Sequence, residues 1–195
     1  MPTIRPSWTS ESGYTLIEVM VVLCVSAILG GMAMFQVAAA RPAFQGDGAM
    51  RVVMAELNYA RDVAVSQRRY VEIEFVTENR LRVLRIDDLA PEDGVEVPPA
   101  VLQDLTLENG ATFAMLDGVA LDTPDGFGLD NGAEPDAVLR FTSDGMMVND
   151  AGEPRNASLF VLVPGAPKSF RAVTVLGTTA RVRGYRWHGD AWAGL

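Results

Sequence analysis

The chain has 195 residues, which suits one domain plus an appendage, and 49% of them are hydrophobic, slightly more than a soluble core alone requires. The formal net charge of −9 argues against a protein whose whole surface binds nucleic acid, although it leaves room for a local basic patch. The single cysteine, Cys24, excludes an intrachain disulfide, so cysteine content gives no information about the redox compartment.

The first predicted element is an apolar helix. From Tyr14 to Ala40 the only charged residue is Glu18, and Arg41 closes the run. At about 1.5 Å per residue, a helix of this length exceeds the roughly 30 Å hydrocarbon core of a bilayer, so the run predicts one membrane-spanning helix. An ionised carboxylate inside it costs several kcal/mol unless it has a partner or reaches the interface. We interpret Glu18 as a residue whose partner is a positive charge on another molecule; the alternative is a carboxylate at the interface.

The segment Gly13-Tyr14-Thr15-Leu16-Ile17-Glu18-Val19 resembles the processing and methylation site of type IV pilins and type II secretion pseudopilins. In that family a prepilin peptidase cleaves after the glycine, methylates the new N-terminus and leaves a glutamate as the fifth residue of the mature chain. The resemblance implies cleavage between Gly13 and Tyr14, N-methylation of Tyr14, and an assembly role for Glu18. Tyr14 departs from the usual phenylalanine but is also a bulky aromatic residue.

The resemblance also sets the expected topology. Residues 1–13 are the leader peptide and residues 14–40 the transmembrane helix, with an uncleaved signal anchor as the alternative. The arginines on the two sides of the run do not fix its orientation. A cytoplasmic N-terminus and a periplasmic C-terminal domain, in a bacterial inner membrane, are therefore implied by the family.

An amphipathic continuation of the helix is expected over residues 41–69. Gly30-Gly31, Pro42 and Gly46-Asp47-Gly48 predict curvature or local loosening, because glycine and proline weaken helices. Apolar residues recur at helical spacing and predict packing on a sheet; these are Met50, Val53, Met54, Leu57, Ala60 and Ala64.

Residues 70–195 are predicted to form an antiparallel β domain. Two alternating segments, 70–75 and 81–86, predict a hairpin around Thr77-Glu78-Asn79. A second strand pair, 105–107 and 111–115, is expected across Glu108-Asn109-Gly110. Residues 91–99 and 117–136 should be connectors rich in proline, glycine and acidic residues. Four further strands are expected at 137–142, 158–163, 170–176 and 179–187. The fold class is α+β: a long N-terminal membrane-spanning helix packed on an antiparallel β-sheet domain, as in pilins.

Two elements near the C-terminus resemble GspH/FimT-type minor pseudopilins and minor pilins. One is Phe141 followed by Gly145, and the other is Ala180-Arg181-Val182-Arg183, where alanine stands in place of the family's glycine. The resemblance implies a minor pseudopilin of a type II secretion system, placed near the tip of the periplasmic pseudopilus and supporting protein export. Its partners would be a prepilin peptidase, other pseudopilins or pilins, and the inner membrane.

The alternative is a FimT-like minor type IV pilin that binds DNA during uptake. Arg181, Arg183 and Arg186 would then contact phosphates beside aromatic residues. The competing interpretation of these arginines is charge that protects an edge strand from aggregation.

Enzymatic chemistry is not expected. His188 is the only histidine and Cys24 lies within the apolar run, so neither a catalytic triad nor a zinc site of His and Cys ligands has its residues. No cofactor and no metal site are predicted. The acidic loop Asp122–Asp136 offers oxygen ligands without EF-hand spacing, and whether it binds calcium stays open.

Overall fold

The computed structural model describes residues 13–87, 98–116, 118–119, 125 and 138–195. Helix α1 spans Leu16–Gln67 as one element and passes through Gly30, Pro42 and Gly48. The chain divides into two compact units, Met1–Ala40 and Arg41–Leu195.

The first unit is an exposed apolar helix. All of its residues from Gly13 to Ala39 are exposed. By length and composition α1 could cross a membrane, a property that it shares with N-terminal signal sequences. This unit therefore presents an apolar surface along residues 13–39.

The second unit contains the remainder of α1 and two five-stranded antiparallel sheets. The first sheet has the order β3-β2-β1-β5-β6; its strands are β1 (Tyr70–Thr77), β2 (Arg80–Ile86), β3 (Ala100–Thr106), β5 (Leu139–Phe141) and β6 (Met147–Val148). The second has the order β10-β9-β8-β7-β4; its strands are β4 (Thr112–Phe113), β7 (Ala157–Val163), β8 (Ala166–Leu176), β9 (Arg181–Trp187) and β10 (Trp192–Gly194).

One hydrophobic core joins α1 to both sheets. From the helix it includes Val53 and Leu57, from the first sheet Ile73, and from the second Val173, each no more than 1% exposed. Fully burying one such side chain contributes about 1.5–3 kcal/mol. The predicted packing of the apolar helix face on a sheet is thus confirmed. Glu56 lies on the same buried face and accepts a hydrogen bond from Gln103 Nε2 at 2.7 Å.

The second predicted strand pair is wrong. The segments on either side of Glu108-Asn109-Gly110 belong to different sheets, since β3 pairs with β2 and β4 pairs with β7. Asn109 and Gly110 both have positive φ, 59° and 73°, so the turn redirects the chain. The turn between β1 and β2 holds the crossing segment, because Leu107 N donates to Asn79 O at 2.7 Å and Phe113 N donates to Glu78 O at 2.5 Å.

The other strand predictions within the described residues are confirmed. β1 and β2 form the expected antiparallel hairpin, with Tyr70 opposite Ile86. β5, β7, β8 and β9 correspond to the four later strands, whereas the short strands β6 and β10 were not predicted. Most of the two predicted connectors, 91–99 and 117–136, lies outside the described residues. The α+β fold class is confirmed.

Candidate functional site

The N-terminal candidate site is an exposed segment followed by a capped helix. Gly13 and Tyr14 precede α1, and the Tyr14 side chain is 83% exposed. Thr15 is the N-cap, because the backbone N of Glu18 donates to Thr15 O at 3.1 Å and to Thr15 Oγ1 at 3.3 Å. The peptide bond between Gly13 and Tyr14 is therefore outside the helix and accessible.

Glu18 occupies the first turn of α1. Its spacing from Thr15 is that of a capping box, T-x-x-E, a pattern that sequence reasoning missed. Tyr14 and Glu18 line one open groove of about 320 Å³ with Val19, Val22 and Leu23. Within the described residues Glu18 has no ion-pair partner. The structure thus brings the predicted cleavage and assembly residues to one apolar surface.

A cluster of polar side chains holds α1 against the second sheet. Arg171 is fully buried; its Nε donates to Asp47 Oδ1 at 2.6 Å, and its other nitrogens donate to the carbonyl oxygens of Ala43, Lys168 and Phe170 at 2.8–2.9 Å. Arg186 donates to the second oxygen of Asp47 at 2.5 Å. One helix carboxylate therefore holds two strands, and sequence reasoning missed it because the partners are far apart in the chain.

The three candidate DNA-binding arginines do not form one surface. Arg181 and Arg183 lie on one face of β9, while Arg186 turns to the other face and pairs with Asp47. Arg183 Nη1 donates to Asp125 Oδ1 at 3.4 Å. The Asp125 carboxylate also accepts hydrogen bonds from the hydroxyl groups of Thr174 and Tyr185. Arg181 is exposed without an ion pair in the part of the chain that the structure describes. Two of the three cations therefore already have carboxylate partners.

Gly145 and Ala180, in the two C-terminal elements singled out in the sequence, both lie in turns and have positive φ. Gly145 has φ 76° in the turn after β5, and a Cβ there would lie 3.3 Å from the Val65 side chain. Ala180, at the family's glycine position, is buried with φ 46° in the turn before β9. The position does require the left-handed conformation that glycine adopts freely, and alanine adopts it here at some cost.

The described residues contain no group of three or more His, Cys, Asp and Glu side chains placed to hold a metal ion. His188 is exposed in the turn after β9, and Cys24 is exposed on α1. Of the candidate calcium loop Asp122–Asp136, only Asp125 lies within the described residues, and its carboxylate is occupied by protein donors.

Comparison with known proteins locates the N-terminal motif. Residues 8–34 match the family model described as the prokaryotic N-terminal methylation motif, which confirms the recognition made from Gly13, Tyr14 and Glu18. No curated protein matches the sequence significantly.

Among solved structures, the chain is similar to the type IV minor pilin FimU of Pseudomonas aeruginosa, with 20% identity over 70% of this chain and 84% of that chain, at a TM-score of 0.45. It is also similar to the minor pseudopilin EpsH from the type 2 secretion system of Vibrio cholerae, with 14% identity over 73% of this chain and 97% of that chain, at a TM-score of 0.45.

Proposed function

We propose that this chain, which carries the prokaryotic N-terminal methylation motif, is a minor pilin-type subunit of a filament assembled from the bacterial inner membrane. A prepilin peptidase would remove residues 1–13 and methylate Tyr14. The apolar helix would then anchor the mature chain, with the β domain in the periplasm. The observation that carries this proposal is the motif match at 8–34 together with an exposed Gly13–Tyr14 bond ahead of a capped helix.

Assembly would depend on Glu18. The carboxylate borders an apolar groove and has no cation among the described residues of its own chain. In a filament core of low dielectric constant, the methylated amino terminus of a neighbouring subunit would supply that charge. Opposite charges that are unpaired in the separate chains would thus favour the assembled state.

We further propose a type II secretion pseudopilus, with the chain near its tip and supporting protein export, rather than a DNA-uptake pilus. The pairing of Arg183 with Asp125 and of Arg186 with Asp47 supports this preference. Phosphate contacts at these arginines would have to replace existing ion pairs, and the net charge of −9 would oppose approach of DNA.

The cleavage step gives the direct test. The full chain is co-expressed with a prepilin peptidase and analysed by intact mass and N-terminal sequencing. The wild-type product should begin at methylated Tyr14. Gly13→Ala should retain the leader, whereas the neighbouring control Ser12→Ala should be processed as wild type. A product that begins at any other residue would remove the basis of the proposal.

A further inference from the structure

A basic groove lies at one end of the second sheet. It has a volume of about 390 Å³ and is formed where β8 begins, where β9 ends, and where α1 passes beside them. Its lining residues are Ala43, Pro167, Lys168, Arg186, Trp187, His188 and Gly189. All of them belong to the second unit, Arg41–Leu195.

The groove carries an excess of positive charge. Asp47 is the carboxylate paired with both Arg171 and Arg186, so two guanidinium groups share one negative charge. Lys168 is exposed and has no ion pair in the described ranges. Asp190, in the turn after β9, is not among the residues that line the groove. A local cationic site in a chain of net charge −9 indicates an anionic ligand.

Apolar walls accompany the cations. Trp187 lines the groove beside Ala43 and Pro167, and its ring packs on Trp192 with centroids 5.1 Å apart. An indole next to lysine and arginine is the combination found at the headgroup level of membranes, where one end of the side chain meets apolar groups and the other meets water. A small inorganic anion would leave these walls exposed.

The position along α1 identifies the source of the anion. Ala43 comes three residues after Ala40, where the apolar run ends. The inference rests on the membrane anchoring proposed above: along α1, Ala43 is within about one helical turn of the end of the proposed membrane-spanning run. We infer that the groove binds the phosphate of an anionic phospholipid headgroup, with Lys168 facing the phosphate and Trp187 facing the glycerol region, while Arg186 keeps its pair with Asp47.

The test uses the full chain in nonionic detergent, with lipid binding counted by native mass spectrometry. Dioleoyl phosphatidylglycerol, which is anionic, is compared with zwitterionic dioleoyl phosphatidylcholine. The wild type should bind phosphatidylglycerol more tightly. Lys168→Gln should weaken that binding about fivefold, the factor expected for one basic residue near an anionic surface, and leave phosphatidylcholine binding unchanged. Lys168→Glu should weaken it further.

The matched control is Arg68→Gln, which removes one exposed positive charge just beyond the far end of α1 and should leave lipid selectivity unchanged. The inference is overturned if the wild type binds both lipids equally, or if Arg68→Gln reduces selectivity as much as Lys168→Gln. It is also overturned if an equimolar amount of inorganic phosphate displaces the lipid, or if Lys168→Gln alters only the binding of duplex DNA. Leader cleavage is scored separately, so failure here leaves the processing proposal intact, and failure of cleavage leaves this site intact.

Discussion

Gly46 of α1 lies directly against the backbone of Ser169 in β8. A Cβ at Gly46 would come within 2.9 Å of the Ser169 Cα and closer still to its carbonyl oxygen. Backbone cannot move aside as a flexible side chain can, so this contact requires glycine. The spacing between helix and sheet is set at this point.

Gly46→Ala is therefore expected to destabilise the chain by about 1–3 kcal/mol, because overpacking outweighs the roughly 1 kcal/mol gain in helix propensity. Gly48→Ala is the matched control, since no atom lies within 4 Å of a Cβ at that helical position. The control should stabilise the protein by up to about 1 kcal/mol. Thermal unfolding of the full chain in detergent measures both, and equal effects of the two variants would contradict the close contact.

Asp47 is expected to be a strongly stabilising residue. Asp47→Asn leaves the fully buried Arg171 without its counter-charge and should cost about 3–5 kcal/mol. Asp150→Asn is the control, because the Asp150 side chain is 98% exposed in its 3.2 Å pair with Arg140 and should change stability by less than about 1 kcal/mol. Denaturant titration measures the loss in free energy of unfolding for each variant. A small loss for Asp47→Asn would mean that the three carbonyl acceptors suffice for Arg171.

Glu56 should make stability dependent on pH. Burial raises the pKa of its carboxyl group, and this effect exceeds the opposing effect of the hydrogen bond from Gln103. Below the ordinary carboxyl pKa the folded and unfolded chains both hold the proton, so no penalty arises. As pH rises, the unfolded chain releases the proton first, and stability falls until the pH exceeds the raised pKa of the folded state.

Glu56→Gln removes this penalty. The variant should match wild type near pH 4 and become more stable than wild type at pH 7, as measured by denaturant titration at the two values. Glu78→Gln removes the same charge from an exposed turn and serves as the control. If Glu56→Gln is equally stable relative to wild type at both pH values, the carboxyl group is not penalised by burial.

Charge and capping at the start of α1 can be separated. Glu18→Gln retains a capping-box side chain but loses the charge, so we expect normal cleavage and membrane insertion with reduced incorporation into filaments. Thr15→Ala removes the N-cap hydroxyl, costs about 1 kcal/mol in the first turn, and should still be incorporated. Co-purification with the other pilin-type subunits measures incorporation. Unchanged co-purification of Glu18→Gln would exclude the proposed assembly role.

The sequence predicted the elements whose causes are local. The apolar run, the helical spacing of Val53 and Leu57, and the alternation around Thr77-Glu78-Asn79 each carry their own periodicity, and the structure confirms them. The crossing at Asn109-Gly110 was mistaken for a hairpin because the turn residues are the same in both cases. What distinguishes them is the hydrogen bond from Leu107 to Asn79, which only the folded chain reveals.

In the candidate site, too, local features could be predicted from the sequence and contacts between distant residues could not. Gly13, Tyr14 and Glu18 lie within six residues, so their spacing in the sequence was sufficient to identify the motif. The pairing of Arg186 with Asp47 joins residues far apart in the chain, and no pattern along the sequence indicates it. Alternation along β9 does place Arg181 and Arg183 on one face and Arg186 on the other. What the sequence could not supply is the carboxylate partners of Arg183 and Arg186.

The pairing of Asp47 with Arg171 and Arg186 also has a consequence for the synthesis of the chain. The ribosome makes α1 first, yet Asp47 meets its partners only after 124 further residues for Arg171 and 139 for Arg186. Until then the apolar face of the helix lacks the completed second sheet, and such uncovered surface promotes aggregation during folding. Early capture of the N-terminus by a membrane would hold nascent chains apart during that interval. Chains stalled on the ribosome before Arg171 emerges should accordingly be cut by protease within residues 41–67, and full-length chains should resist.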